Sequence, residues 1–134
     1  MAQQLFVNLP VKDLQRSIAF FTQLGYSFNP QFTDENATCM IIGENHFAML
    51  LVEDYFKTFI KKPVADAKRS AEMILALSVE SRAAVDALVQ KAVTAGATTP
   101  VEPKDYGFMY QHGYEDLDGH LWEVFYMDPN AQPS

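Results

Sequence analysis

A pattern of one strand, one helix and three further strands runs through this chain twice, and that repeat restricts the fold more than any single motif. In the first copy, Leu5, Val7 and Leu9 alternate with Phe6 and Asn8, the two-residue period of a strand. Asp13 then stands where an N-cap would, because its carboxylate can accept from the free N–H groups of a first helical turn. The helix behind it is expected to reach about Leu24, with Leu14, Ile18 and Phe21 as its buried stripe, and Gly25 ends it. Strands are expected at residues 26–32 (broken by Pro30), 37–42 and 47–53. The second copy opens with a strand over residues 72–79. Ser81 caps a helix that buries Val85, Leu88, Val89, Ala92 and Val93 and stops at Gly96, and strands follow at 98–101, 108–115 and 120–127. Val11 and Val79, 68 residues apart, end equivalent strands, and Gly25 and Gly96, 71 apart, end equivalent helices. His46-Phe47-Ala48-Met49 aligns with His120-Leu121-Trp122-Glu123 at an offset of 74. The class implied is α+β, two βαβββ units with sheets that curl and helices on their outer faces.

The chain of 134 residues suits one domain, with units at about 4–53 and 71–127 and a linker over 54–70. Within the linker, Tyr55, Phe56, Phe59 and Ile60 fall at near-helical spacing, as a lid or, more simply, as an anchored connector would have them. A formal charge of −7 argues against nucleic acid as a partner, since phosphate binding needs basic surface. Cys39 is the single cysteine, so no internal disulfide can form, and it reads as a small core residue. The first residues have neither the basic nor the apolar region of a signal peptide, and no apolar run has the length of a membrane span. A cytoplasmic protein is the expectation, with no membrane partner.

The chemistry concentrates in residues 116–126. Asp118-Gly119 is a strong turn signal between two aromatic, β-prone runs, so a hairpin is expected there. In its second strand Glu123 lies between Leu121 and Phe125 on one face, while Trp122, Val124 and Tyr126 fill the other. A carboxylate buried on such a strand is costly unless something binds or pairs with it. The competing reading is a Glu at the wet rim of a half-covered sheet. A four-residue turn would set His112 opposite Glu123, and a two-residue turn would set Tyr114 there, at ~5 Å between Cβ atoms. A three-residue turn with a bulge would reverse the parity and send Tyr110, His112 and Tyr114 to the other face. A His112–Glu123 pair would be either a general base or a structural pair.

Two βαβββ units closed by Asp-x-Asp-Gly-His-x-x-Glu at residues 116–123, with Leu-Pro-Val-Lys-Asp-Leu-Gln-Arg-Ser-Ile-Ala-Phe-Phe-Thr-Gln-Leu-Gly at residues 9–25, resemble the vicinal oxygen chelate superfamily. This is the group of glyoxalase I, bleomycin-resistance proteins, fosfomycin-resistance transferases and extradiol dioxygenases. The resemblance implies paired units enclosing a cup, with metal ligands on the first and last strands of each unit. Those positions fall here on Phe6, Met49, Ile74 and Glu123, and only Glu123 can ligate a hard divalent ion. This departure from the family's pattern leads to an expectation of no cofactor, a divalent metal being disfavoured, while the resemblance implies a homodimer.

Two functions of different classes follow. In the first, a small molecule with an apolar body and one polar or cationic end enters the cup, against Phe6, Asn8, Met49, Leu51, Ile74 and Phe125. Glu123, with Tyr110, Tyr114 or His112, fixes its polar end. In the second, the chain is an enzyme with Glu123 and His112 as its catalytic groups: a metal-dependent glyoxalase-like lyase or isomerase, or an extradiol-type dioxygenase, or a metal-free enzyme in which Glu123 abstracts a proton.

Overall fold

The computed structural model describes residues 3–131. The chain divides between Ala65 and Asp66 into two compact units, each a four-stranded mixed sheet with a helix on one face. The first unit runs β1 (Leu5–Val11), α1 (Leu14–Gln23), β2 (Ser27–Asn29), β3 (Ala37–Ile41) and β4 (His46–Val52), in the sheet order β1-β4-β3-β2. A short helix, α2 (Glu53–Phe56), follows it. The second unit runs β5 (Ile74–Ser78), α3 (Arg82–Thr94), β6 (Lys104–Asp105), β7 (Met109–Glu115) and β8 (Leu121–Met127), ordered β5-β8-β7-β6. The first strand of each unit pairs parallel to the last, and the other pairs are antiparallel. The two βαβββ units expected from the repeat are both present.

The caps explain why the helices begin and end where they do. The Asp13 carboxylate accepts from the Arg16 N–H at 3.1 Å, and the Ser81 hydroxyl from the Ala84 N–H at 3.0 Å, each satisfying a donor with no intrahelical partner. Past the C-termini, Gly25 at φ 103° and Gly96 at φ 118° take the left-handed conformation that releases the chain toward the sheet. Helix α1 buries Leu14, Ser17, Phe20 and Phe21, so its stripe is turned from the one expected and Ile18 is only half-buried. Helix α3 buries Val85, Val89 and Ala92 and leaves Val93 exposed. In both cases the sheet below selects the face, and the aliphatic residue at its margin stays in water.

Two expected strands are shortened by proline. Residues 26–32 give only Ser27–Asn29, after which Pro30–Phe32 forms a 3-10 turn, the Asn29 side chain accepting from the Gln31 N–H at 3.0 Å. The strand expected at 98–101 is reduced to a single bridge between Thr98 and Glu115, because Pro100 and Pro103 supply no N–H to a ladder. Within the expected linker, α2 and a 3-10 turn over Lys57–Phe59 carry the Tyr55 and Phe59 rings edge to face at 5.1 Å. Among the described residues no helix is long and apolar enough to cross a membrane.

Candidate functional site

The second sheet has one face packed under α3 and one face open, and strand parity decides which residues reach which. Leu75, Leu77, Trp122, Val124 and Tyr114 point to the helix side, where Trp122, Tyr114 and Val124 are almost completely buried. Ile74, Ala76, Leu121, Glu123, Phe125 and Gln111 share the open face. Glu123 is half-buried there, its lateral neighbours being Ala76 on β5 and Gly113 on β7.

Gly113, not His112, is therefore opposite Glu123, which corrects the expected pair. The connection between β7 and β8 holds five residues, 116–120, closed by the Asp116 N–H donating to the His120 carbonyl at 2.9 Å. An odd count reverses the parity assumed for a two- or four-residue turn. His112 lies opposite Val124, Tyr114 opposite Trp122 and Tyr110 opposite Tyr126, all on the helix side. The Tyr114 ring stacks on Trp122 at 6.4 Å between centroids, and the Tyr110 hydroxyl donates to Asp86 of α3 at 2.7 Å, a bond that pushes its phenol pKa up. None of the three is brought to the Glu123 carboxylate.

What surrounds Glu123 instead is a recess of about 240 Å³ on the open face. Its floor includes Ile74, Leu121 and Glu123, and Val101, Glu102 and Lys104 stand along one side. Gly113 borders the recess with no side chain, and a Cβ there would lie 2.7 Å from the Trp122 carbonyl oxygen, a collision with the backbone of β8. His112 and Tyr114 border the recess as the chain neighbours of Gly113, while register sends their side chains to the opposite face. Among the described residues the Glu123 carboxylate makes no hydrogen bond and no ion pair. An isolated Gly inside a β-prone run signals a close approach of backbones, so Gly113 could have been singled out from the sequence. Lys104 and Gln111 carried no such signal.

The acid that the fold does bury is Asp116. It is 7 % exposed, and its Oδ1 accepts from the Asp118 and His120 N–H groups at 2.9 and 3.0 Å. Its Oδ2 accepts from the Trp122 indole N–H at 2.8 Å. Burial pushes the carboxyl pKa up, against the opposing effects of His120 and of these hydrogen bonds. Asp116 thus ties the hairpin turn to the core and does not face the recess.

In the first unit, register puts Phe6, Asn8, Met49 and Leu51 on one face of the sheet, where Leu51 is buried. Phe6 stacks on Phe47 at 4.7 Å and remains 45 % exposed. Cys39 lies beside Met49 on that face, buried, and burial pushes its thiol pKa up. The registers verify the repeat, because Phe6 pairs with Phe47 as Ile74 pairs with Leu121, and Asn8 with Met49 as Ala76 with Glu123. Among the described residues no three His, Cys, Asp or Glu side chains cluster where they could hold a metal ion.

Residues 3–43 match the family model described as bleomycin resistance protein-like N-terminal. No curated protein matches the chain. Among solved structures, a hypothetical protein, SA1046 from S. aureus, is 29 % identical, with a TM-score of 0.79 over 94 % of this chain and 95 % of that one. A glyoxalase/bleomycin resistance protein/dioxygenase family enzyme from Burkholderia phytofirmans PsJN is 19 % identical, with a TM-score of 0.77 over 94 % and 99 %. A glyoxalase-related enzyme from Fulvimarina pelagi, also 19 % identical, gives 0.78 over 94 % and 88 %. With its two βαβββ units and these neighbours the chain has the glyoxalase/bleomycin-resistance fold, and its first segment is similar to the bleomycin resistance protein-like N-terminal family.

Proposed function

We propose that this chain is a small-molecule binding protein whose second unit holds the ligand in the Glu123 recess, without a catalytic metal. One observation carries the reading: a half-buried carboxylate on an apolar sheet face, beside open space, with no partner among the described residues. A lone acid on such a surface is best satisfied by a donor or cation brought by the ligand, while Ile74 and Leu121 take its apolar body and Phe125 lies on the same face outside the recess. The donor chemistry does not fit a divalent metal. Phe6, Met49 and Ile74 occupy three of the four positions where the superfamily places ligands, and a thioether is a soft donor unsuited to a hard ion. The metal-dependent lyase, isomerase and dioxygenase readings need that metal, and a metal-free proton abstraction by Glu123 has lost the His112 partner expected for it, so the binding reading is preferred. Phe6 and Ile74 are 45 % and 58 % exposed, and a second copy of the chain covering these faces is part of the proposal.

Phenethylamine, an apolar body with one cationic end, is a suitable first probe. Titrated into the labelled protein, it should give saturable NMR shifts at Ile74, Leu121 and Gly113 that disappear in Glu123→Gln. Shifts of equal size in that variant, or none in the wild type, would defeat the reading.

A further inference from the structure

We infer that the recess selects a zwitterion of about dipeptide size, its ammonium end on Glu123 and its carboxylate end on Lys104, across an apolar body. This rests on the binding function proposed above and goes further by naming the ligand's second charge. The register carries it. Lys104 is opposite Gln111, Gln111 opposite Phe125, and Phe125 beside Ser78, so these four make one row across the open face. The next row is Gly113, Glu123 and Ala76. Lys104 on β6 and Glu123 on β8 therefore stand on the same face, separated by β7 and by one two-residue step along the strands. On a flat sheet that separation is roughly 12 Å between Cα atoms, from two strand spacings and one repeat.

The ground between them is clear because of Gly113. Gly113 puts no side chain between them, and a Cβ at that position would lie 2.7 Å from the Trp122 carbonyl oxygen, against the backbone of β8. Both charged residues line the recess, and neither side chain makes a hydrogen bond or ion pair among the described residues. With both side chains standing up from the sheet, the charged atoms lie about 10–12 Å apart, too far to pair directly and suited to a bridge. Two charge-assisted hydrogen bonds of about 2.8 Å leave about 5–6 Å between the ammonium and carboxylate of the ligand. An α-amino acid is too short for that span, and a dipeptide matches it. Gln111, next to Lys104, offers an amide donor to the same carboxylate. Glu102 on the wall adds a second negative charge, which disfavours a ligand that is only an anion.

Three dipeptides with one apolar body separate the charges: dileucine, dileucine amide (cation only) and N-acetyl-dileucine (anion only). Isothermal titration of the full chain should find dileucine bound at least about fivefold more tightly than the amide, and the acetylated form weakest. Lys104→Met, an exposed site on a two-residue edge strand, should bring dileucine down to about the affinity of the amide, with a much smaller effect on the amide itself. Glu123→Gln should weaken dileucine and the amide together. Equal affinity for dileucine and its amide, or equal losses for all three in Lys104→Met, would overturn the zwitterion while leaving a cation-binding recess intact. Absence of dileucine binding would also overturn it, and phenethylamine would then report separately on the binding function.

Discussion

Replacing Asp116 tests how the hairpin that carries Glu123 is held. The wild-type carboxylate accepts three hydrogen bonds, two backbone N–H groups on Oδ1 and the Trp122 indole on Oδ2. Asn has the same shape but one acceptor oxygen, so it can serve the backbone pair or the indole, not both. The other side then places an amide NH₂ against an N–H, and a buried donor loses its partner. Hydrogen bonds to a charged group contribute about 1.5–3 kcal/mol each, and an unsatisfied buried donor costs about 1–3 kcal/mol. Removal of the indole bond alone should therefore lower stability by about 2 kcal/mol in Asp116→Asn, and by more in Asp116→Ala, where all three donors are orphaned. Trp122 is the single tryptophan, so its fluorescence in a urea titration reads this unit directly. At a slope of about 1–2 kcal/mol per molar urea, the midpoint should fall by about 1–2 M. In Trp122→Phe, followed by far-UV circular dichroism, the further change Asp116→Asn should cost less than in wild type.

The pH dependence supplies an independent sign. Burial holds the folded-state pKa of Asp116 above that of the unfolded chain, so between the two values the folded state binds the extra proton. Its contribution is therefore most favourable at and below the unfolded pKa and declines as pH rises through the folded one. Asn does not titrate, so the wild-type advantage over Asp116→Asn should shrink as pH is raised from about 4. A midpoint for Asp116→Asn within about 0.5 kcal/mol of wild type, or an advantage that grows with pH, would refute the account.

Gly113→Ala should destabilise the protein by about 2 kcal/mol, since its Cβ would meet backbone of β8 that cannot move alone; an unchanged urea midpoint would contradict this. Glu123→Gln should leave folding stability within about 0.5 kcal/mol, because no partner among the described residues is lost, and act on phenethylamine binding instead. Elemental analysis after dialysis should find far less than one Zn, Ni, Mn or Fe per chain, and near-stoichiometric metal that disappears in Glu123→Ala would reverse the conclusion. Light scattering should return the mass of two chains at micromolar concentration, and a one-chain mass throughout would remove the homodimer.

Most of the architecture could be read locally because each signal is a local one. Asp13 and Ser81 cap, Gly25 and Gly96 release, and alternation places Phe6, Asn8 and Glu123 on their faces, all without reference to distant residues. The pairing of β7 with β8 is different, because it depends on the parity of one turn. Asp118-Gly119 announces a turn but does not count it, and the fifth residue is accommodated by Asp116 accepting from two N–H groups of the same loop. One residue of parity moved His112, Tyr110 and Tyr114 from the Glu123 face to the helix face and replaced a histidine partner with a glycine. Lys104 was out of reach for a related reason, since β6 has two residues and no alternation to show which way either points.

The two units began from one pattern and now treat equivalent positions in opposite ways. In the first, the row across the open face reads Asn8, Met49, Cys39; in the second, by the same registers, it reads Ala76, Glu123, Gly113. Moving from one row to the other loses side-chain volume on both flanks while the centre gains a charge. The two changes are physically coupled. A carboxylate on an apolar sheet is tolerable where water or a ligand can reach it, and the small residues on each side provide that access. Met49 needs no access, and there Cys39 is sealed beside it with its thiol pushed toward the neutral form. A carboxylate installed at Met49 alone would therefore not recreate the recess, because Asn8 and Cys39 would still occupy its flanks. On the binding function proposed above, the whole row supplies the chemistry, and Glu123 is only its charged member.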